Sequence, residues 1–151
     1  MKKILITGAG GFVGSRILQQ WNRNDALYTL PKGFFRTAGE AQIMEQVEKI
    51  CPDVILHTAA ISDTGYCAQH PEEAAAKTRA KLVAFSSDQV YAGVQGTGPL
   101  PETLELTPTN VYGCYKLEAE QRVLQVCPDS VHLRATWMYD LPGYGLPIRG
   151  N

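Results

Sequence analysis

Apolar and polar positions along the chain follow two different periods. Short runs of consecutive apolar residues, such as Ile4, Leu5 and Ile6, are typical of parallel strands buried on both faces. Between these runs, apolar residues recur every three or four positions, as expected for helices that bury one face. The pattern predicts strands at residues 4–6, 26–30, 53–57, 81–86 and 130–136, helices at 12–22, 40–51, 71–80 and 109–126, and a loop at 31–39. Because strands alternate with helices, we predict an α/β fold with a doubly wound, Rossmann-like parallel sheet.

A glycine-rich turn follows the first predicted strand. Gly8, Gly11 and Gly14 have the spacing of a strand-to-helix turn that binds a pyrophosphate. The first glycine permits the tight turn, the second lets backbone N–H groups approach the phosphates, and the third lets the helix pack closely on the strand. Phe12 and Val13 then begin the helix, whose positive N-terminal end faces the anion. This turn predicts a dinucleotide site, and the alternative is a glycine turn without a ligand.

Composition narrows the function classes. The chain has 151 residues, 44% of them hydrophobic, which is typical of one globular domain with a core. Its net charge of −1 and the lack of long charged or apolar runs argue against partners such as nucleic acid or a membrane. The four cysteines show no C-x-x-C spacing, so we expect reduced thiols, no metal site and a cytoplasmic location. The oligomeric state is left open, a homo-oligomer included.

A second group of polar residues suggests chemistry. Tyr112 and Lys116 lie four residues apart in the last predicted helix, so both point to one face. A phenol exchanges its proton more readily when an ammonium group lies beside it. Ser86 and Ser87 end the fourth predicted strand, at the edge where doubly wound sheets bind ligands. By itself the Tyr-Lys spacing is an ordinary helix surface, but after the glycine turn and the strand-end serines it favours a reaction at a carbonyl group.

Three segments in this order resemble the extended short-chain dehydrogenase/reductases: residues 7–14 (TGAGGFVG), 86–91 (SSDQVY) and 110–116 (NVYGCYK). Within that family the chain most resembles the dTDP-4-dehydrorhamnose reductases and related sugar-nucleotide-binding proteins. The resemblance implies an NAD(P)-dependent oxidoreductase that reduces the 4-keto group of a nucleotide-activated deoxysugar. Two alternatives stay open: a non-catalytic regulatory subunit that binds a dinucleotide or sugar nucleotide, and a sugar-nucleotide epimerase.

The resemblance also implies roles for single residues. Ser87 would polarise the substrate carbonyl, Tyr112 would protonate its oxygen as the hydride arrives, and Lys116 would favour the phenolate and bind the nicotinamide ribose. The cofactor-binding residues that it implies are Gly8, Gly11, Phe12, Val13, Gly14, Arg16, Ala59, Ala60 and Lys116.

Gln89 bears on the type of reaction. The related sugar-nucleotide 4,6-dehydratases carry an Asp-Glu pair after the catalytic hydroxyl, where this chain has Asp88 and Gln89. A glutamine amide has no carboxyl proton to exchange, so this difference favours carbonyl reduction over dehydration. The alternative is that Gln89 is a loop residue without a role.

The choice between the two nicotinamide cofactors depends on the end of the second strand. NAD-binding proteins usually carry an acidic residue there for the ribose hydroxyls, whereas this chain reads Leu30, Pro31 and Lys32. Arg16 and Lys32 are cations that could face a 2′-phosphate. Either NADP or NAD therefore fits, and we favour NADP.

The family resemblance divides the chain into two parts. We assign residues 1–140 to the dinucleotide-binding domain and residues 141–151 to the start of a substrate-binding region, most of which the chain does not contain. A sheet that ends near Thr136 would lack the helix that covers its last strand, so we expect exposed apolar surface there. Trp137, Met138 and Tyr139 could shape the substrate side of the cleft or belong to the core.

Overall fold

The computed structural model describes residues 1–58, 71–96 and 98–139 of the chain. The strands are β1 (Lys3–Thr7), β2 (Ala26–Thr29), β3 (Val54–His57), β4 (Lys81–Ser87) and β5 (Val131–Ala135). The helices are α1 (Phe12–Gln20), α2 (Phe34–Thr37), α3 (Glu40–Ile50), α4 (Pro71–Thr78) and α5 (Val111–Val126), and a 3-10 turn spans Asp88–Tyr91. All the predicted strands and helices are present, with ends shifted by a few residues.

The five strands form one parallel sheet in the order β2-β1-β3-β4-β5. The chain moves outward from β1 to β2, crosses back to β3, and then continues in the opposite direction through β4 and β5. The strand order therefore reverses between β1 and β3. In doubly wound sheets, ligands bind outside the carboxyl ends of the strands at this reversal. The predicted fold class is confirmed, and the reversal gives the place for a candidate site.

The core lies on the face of the sheet that α3 and α4 cover. Leu5, Ile55 and Leu82 are aligned across β1, β3 and β4 and are at most 1% exposed. Met44 and Val47 of α3 pack against them. Because apolar residues fill both faces of β1, this central strand and its carboxyl end are held firmly in the sheet.

The predicted loop at 31–39 was wrong in part, because it contains the single helical turn α2. A helix of four residues is too short to show an apolar period, so the pattern could not reveal it. Gly33 begins the turn in the left-handed conformation, with a φ of 79°, which glycine adopts without strain.

Among the described residues, no helix covers the face of β5 that lies opposite α5. Val131 and Leu133 point to the face opposite α5 and are 40% and 41% exposed. Among the described helices, none is both long enough and apolar enough to span a membrane.

Candidate active site

The glycine turn joins β1 to α1, and its backbone leaves no room for a side chain at residue 14. Gly8 has a φ of 74°, in the left-handed region that favours glycine. A Cβ atom on residue 14 would lie only 2.4 Å from the carbonyl oxygen of Gly8, and the Gly11 amide donates a 2.9 Å hydrogen bond to the same oxygen. These contacts agree with the tight turn and the close helix packing that the sequence predicted. The turn thus has the shape of a cradle for a pyrophosphate.

Two cationic side chains near this turn make different contacts. The Cβ position of residue 10 would be 4.0 Å from Cγ of Lys32, so Lys32 lies beside the turn. The guanidinium of Arg16 stacks on the ring of Phe12, 5.1 Å from its centroid. Lys32 is therefore the cation next to the loop itself, whereas Arg16 contacts the aromatic ring.

A depression of about 350 Å³ runs along α1 from Phe12 to Gln20 and reaches Phe85 of β4. Phe12, Val13 and Arg16 form one side, and Met138 and Tyr139 form another. Met138 and Tyr139 are 47% and 77% exposed, and Trp137 is exposed as well. Within the described part of the chain, these three residues are therefore not part of the core.

A larger depression, of about 610 Å³, lies along α3 and is unsuited to a dinucleotide. Glu40, Glu45 and Glu48 line it, together with Lys77. Three carboxylates would repel the phosphates of a dinucleotide. The smaller depression at α1 is the better candidate because it adjoins the glycine turn.

His57 ends β3 directly beside Thr7 at the end of β1. Thr7 Oγ1 and His57 Nδ1 share a 2.8 Å hydrogen bond across the strand reversal. Burial, and after it the positive charge of Lys116, lowers the pKa of His57 to about 4, so the ring is neutral at pH 7. His57 is thus a packed, hydrogen-bonded residue at the end of β3. Ala59 and Ala60, predicted to line the cleft, lie outside the described residues.

Ser87 ends β4 and is only 8% exposed. Its hydroxyl donates to Asp88 Oδ1 at 3.1 Å and accepts a hydrogen bond from the backbone N–H of Gln89 at 3.2 Å. The second contact caps the 3-10 turn, so the hydroxyl group has a defined position at the carboxyl edge of the sheet.

Tyr112 and Lys116 lie on one face of α5, as the spacing predicted. The ammonium of Lys116 is 5.7 Å from the centroid of the Tyr112 ring, and the ring is 53% exposed. Lys116 is also close enough to His57 to lower its pKa. The Lys116 side chain therefore lies between Tyr112 and His57, and His57 is at the strand reversal, where the glycine turn begins.

Sequence reasoning missed one structural link in this region. Asn110 caps α5 by accepting a 2.7 Å hydrogen bond from the Gly113 amide, and its own amide donates to Gln89 Oε1 at 3.1 Å. An asparagine directly before a helix is a recognised N-cap signal, so the cap was predictable. The partner of the cap was not, because Gln89 lies 21 residues earlier in the chain. Gln89 therefore has a structural contact, while its effect on the type of reaction stays a prediction.

The parts of the chain that the structure describes contain no group of three or more His, Cys, Asp or Glu residues placed to hold a metal ion.

Comparison with known proteins gives consistent results. A dTDP-4-dehydrorhamnose reductase of Mycolicibacterium smegmatis is 30% identical over 91% of this chain and 46% of its own length. The methionine adenosyltransferase 2 subunit beta of Danio rerio is also 30% identical, over 91% of this chain and 48% of its own length. The structure of a dTDP-4-dehydrorhamnose reductase from Bacillus anthracis in complex with NADP superimposes with a TM-score of 0.76 at 25% identity, covering 91% of this chain and 54% of that one.

The chain spans about half the length of the curated relatives it matches. A family model described as the RmlD substrate binding domain matches residues 1–147, nearly all of the sequence. The parallel sheet, the glycine turn and the Tyr-Lys pair on α5 agree with this match. The chain therefore belongs to the RmlD substrate binding domain family, within the extended short-chain dehydrogenase/reductases.

Proposed function

We propose that this protein uses a nicotinamide cofactor to reduce the 4-keto group of a nucleotide-activated deoxysugar. The observation that carries the proposal is the pairing of Tyr112 with Lys116 at the strand reversal, 5.7 Å from ring centroid to ammonium. The pair presents a phenol and an ammonium group together on one face of α5, and a positioned phenol can act in proton transfer. Membership of the reductase family supports the same reaction.

Each residue of the site then has one task. Ser87 turns its hydroxyl proton from Asp88 Oδ1 to the carbonyl oxygen of the substrate, and Tyr112 gives that oxygen its proton. Lys116 stabilises the phenolate that remains and binds the ribose of the cofactor. A bound nicotinamide supplies the hydride. The low exposure of Ser87 keeps its hydroxyl group away from competing water.

The glycine turn fits the cofactor. The turn has no side chains at Gly8, Gly11 and Gly14. The backbone N–H groups of Gly11 and of the first residues of α1 would therefore hold the pyrophosphate. Phe12, Val13 and Arg16 line the adjoining depression. Ala59 and Ala60 stay part of the proposed cofactor-binding set.

We favour NADP over NAD. Lys32 lies beside the turn, where its charge would attract the 2′-phosphate, and an acidic residue is absent from the end of β2. The Bacillus anthracis relative was solved with NADP, which supports this preference. Division of the chain at residue 140, a cytoplasmic location and a homo-oligomer remain predictions.

The proposal predicts that Tyr112→Phe lowers kcat by roughly 10²–10⁴-fold, because the phenylalanine ring has no proton to give. NADPH oxidation is measured with a panel of dTDP-4-keto-6-deoxy sugars, and NADPH affinity is expected to stay unchanged. Tyr115→Phe is the matched control, since Tyr115 is on the same helix and is equally exposed, at 53%. Equal activity of Tyr112→Phe and Tyr115→Phe would contradict the assigned role. Net oxidation of NADPH also separates reduction from epimerisation, which leaves the nicotinamide unchanged overall.

A non-catalytic subunit is the second candidate. It is favoured by the likeness to the Danio rerio subunit, which is as identical to this chain as the Mycolicibacterium smegmatis reductase. On this alternative, the wild-type protein binds NADPH without turnover and alters the kinetics of an enzyme that copurifies with it.

A further inference from the structure

We propose that Gln89 and Asn110 are positioning residues that hold Tyr112 in place relative to Ser87. The proposal rests on the function given above, because it assumes that Ser87 and Tyr112 act on one substrate oxygen. Neither Gln89 nor Asn110 is placed on the reacting atoms. They act through the two residues that are.

A chain of hydrogen bonds connects the serine to the helix of the tyrosine. The backbone N–H of Gln89 donates to Ser87 Oγ at 3.2 Å, and the side chain of Gln89 accepts from Asn110 Nδ2 at 3.1 Å. Asn110 Oδ1 in turn accepts from the Gly113 amide at 2.7 Å. Tyr112 lies between Asn110 and Gly113, within the first turn of α5. One amide–amide contact thus connects the strand end to that turn.

The backbones on both sides of this contact already touch. A Cβ atom on residue 113 would lie 2.3 Å from the backbone oxygen of Gln89 and 2.9 Å from Pro108. Gly113 is buried there. The Thr109 amide donates to the Ala92 oxygen at 3.1 Å. The 3-10 turn and α5 therefore cannot move closer together, and the Gln89–Asn110 bond opposes their sliding or rotation.

This restraint matters because two donors must meet at one oxygen atom. A displacement of about 1 Å in a reacting group can lower a rate by roughly a hundredfold. Ser87 belongs to the rigid sheet, whereas Tyr112 is on a helix end whose first N–H groups lack backbone partners. The side chain of Asn110 supplies one partner, and Gln89 orients that side chain.

Single variants distinguish the Gln89–Asn110 hydrogen bond from the capping of α5 by Asn110. Gln89→Leu removes the acceptor, and Asn110→Ser keeps a capping oxygen but loses the amide donor. We expect both to lower kcat by roughly ten- to a hundredfold with little change in the KM for NADPH. Gln89→Glu keeps an acceptor for Asn110 Nδ2 and should retain most of the activity.

A pair of charged variants tests complementarity directly. In Asn110→Asp, the Gln89 amide can rotate and donate to the new carboxylate, so activity should survive. Combining Asn110→Asp with Gln89→Glu places two acceptors face to face without a donor. We expect the double variant to lose at least as much kcat as Gln89→Leu, although each single charged variant is tolerated.

Hydrogen exchange at the Gly113 amide provides a readout that needs no turnover. Loss of one neutral hydrogen bond should speed its exchange by roughly three- to tenfold in Gln89→Leu, with recovery in Gln89→Glu. Wild-type kcat in Gln89→Leu, or additive effects of the two charged substitutions, would overturn the proposal. If the wild-type protein reduces no keto-sugar nucleotide, the proposed function fails, and unchanged Gly113 exchange in Gln89→Leu would overturn the link on its own.

Discussion

Single residues at the ends of β1 and β3 form the contacts at the strand reversal. Thr7 is 2% exposed and holds the neutral ring of His57, while Gly8 begins the turn one residue later. Protonation of His57 would place a second positive charge near Lys116 in a poorly hydrated position. The stability of this edge should therefore depend on pH.

His57 predicts the direction of that dependence. Its pKa is about 4 in the folded protein and close to 6.5 when unfolded, so the unfolded state binds the proton more readily between these values. The free energy of unfolding is then highest above pH 6.5 and falls as the pH drops toward 4. Between pH 7 and pH 5 the wild type should lose about 2 kcal/mol more than His57→Gln, as measured by urea unfolding. Parallel pH curves for the two proteins would refute this account of His57.

At the scale of elements, a buried ion pair holds α5 against β5. Arg134 contacts Glu120 with bonds of 2.7 and 3.1 Å, and Glu120 is 4% exposed. Arg134 also donates to the Tyr91 hydroxyl at 2.7 Å, so the 3-10 turn joins the same network. Burial on its own raises the pKa of Glu120, but the hydrogen bonds and charge of Arg134 outweigh it and hold the pKa below its usual value.

Glu120→Gln tests this pair against an exposed one on the same helix. It leaves the Arg134 charge without a counterion, and removing one partner of a buried pair costs roughly 3–5 kcal/mol. Because the Arg134 side chain is 20% exposed, we expect about 3 kcal/mol. Glu118→Gln breaks the exposed pair with Arg122 and should cost only about 0.3–0.5 kcal/mol. Similar unfolding free energies for the two variants would mean that Glu120 is hydrated.

At the scale of the whole molecule, the two faces of the sheet differ in their cover. The face beneath α3 and α4 is closed, and Leu82 on it is 1% exposed. The opposite face is open at β5, where Leu133 is 41% exposed. Removal of side chains from the two faces should therefore have unequal effects.

Leu82→Ala should destabilise the protein by about 2–5 kcal/mol, because it leaves a cavity in a packed core. Leu133→Ala should cost about 1 kcal/mol, since much of that side chain already contacts water. Both losses are to be measured by denaturant unfolding, each relative to the wild-type protein. An equal loss for Leu133→Ala would show that its face is covered in solution.

Local patterns in the sequence were sufficient to predict most of the fold and to propose the site residues. Apolar runs and helical periods predicted the strands and helices, because the faces that an element buries set the pattern of apolar residues along that short segment. The glycine spacing indicated a steric requirement at residue 14, where a Cβ atom would lie 2.4 Å from the carbonyl oxygen of Gly8. The spacing of Tyr112 and Lys116 placed both on one helix face, as the geometry of a helix demands.

The tertiary structure alone decided the contacts between distant segments. The Gln89–Asn110 bond joins residues 21 apart, and the Glu120–Arg134 and Thr7–His57 pairs join neighbouring elements. Met138 and Tyr139 proved to be exposed within the described part of the chain. By itself the sequence was enough to propose which residues carry the chemistry, because their types, their local spacing and the family that they resemble point to the same set. The positions of these side chains in the fold depend on packing between helices and strands. A local sequence pattern contains no information about that packing.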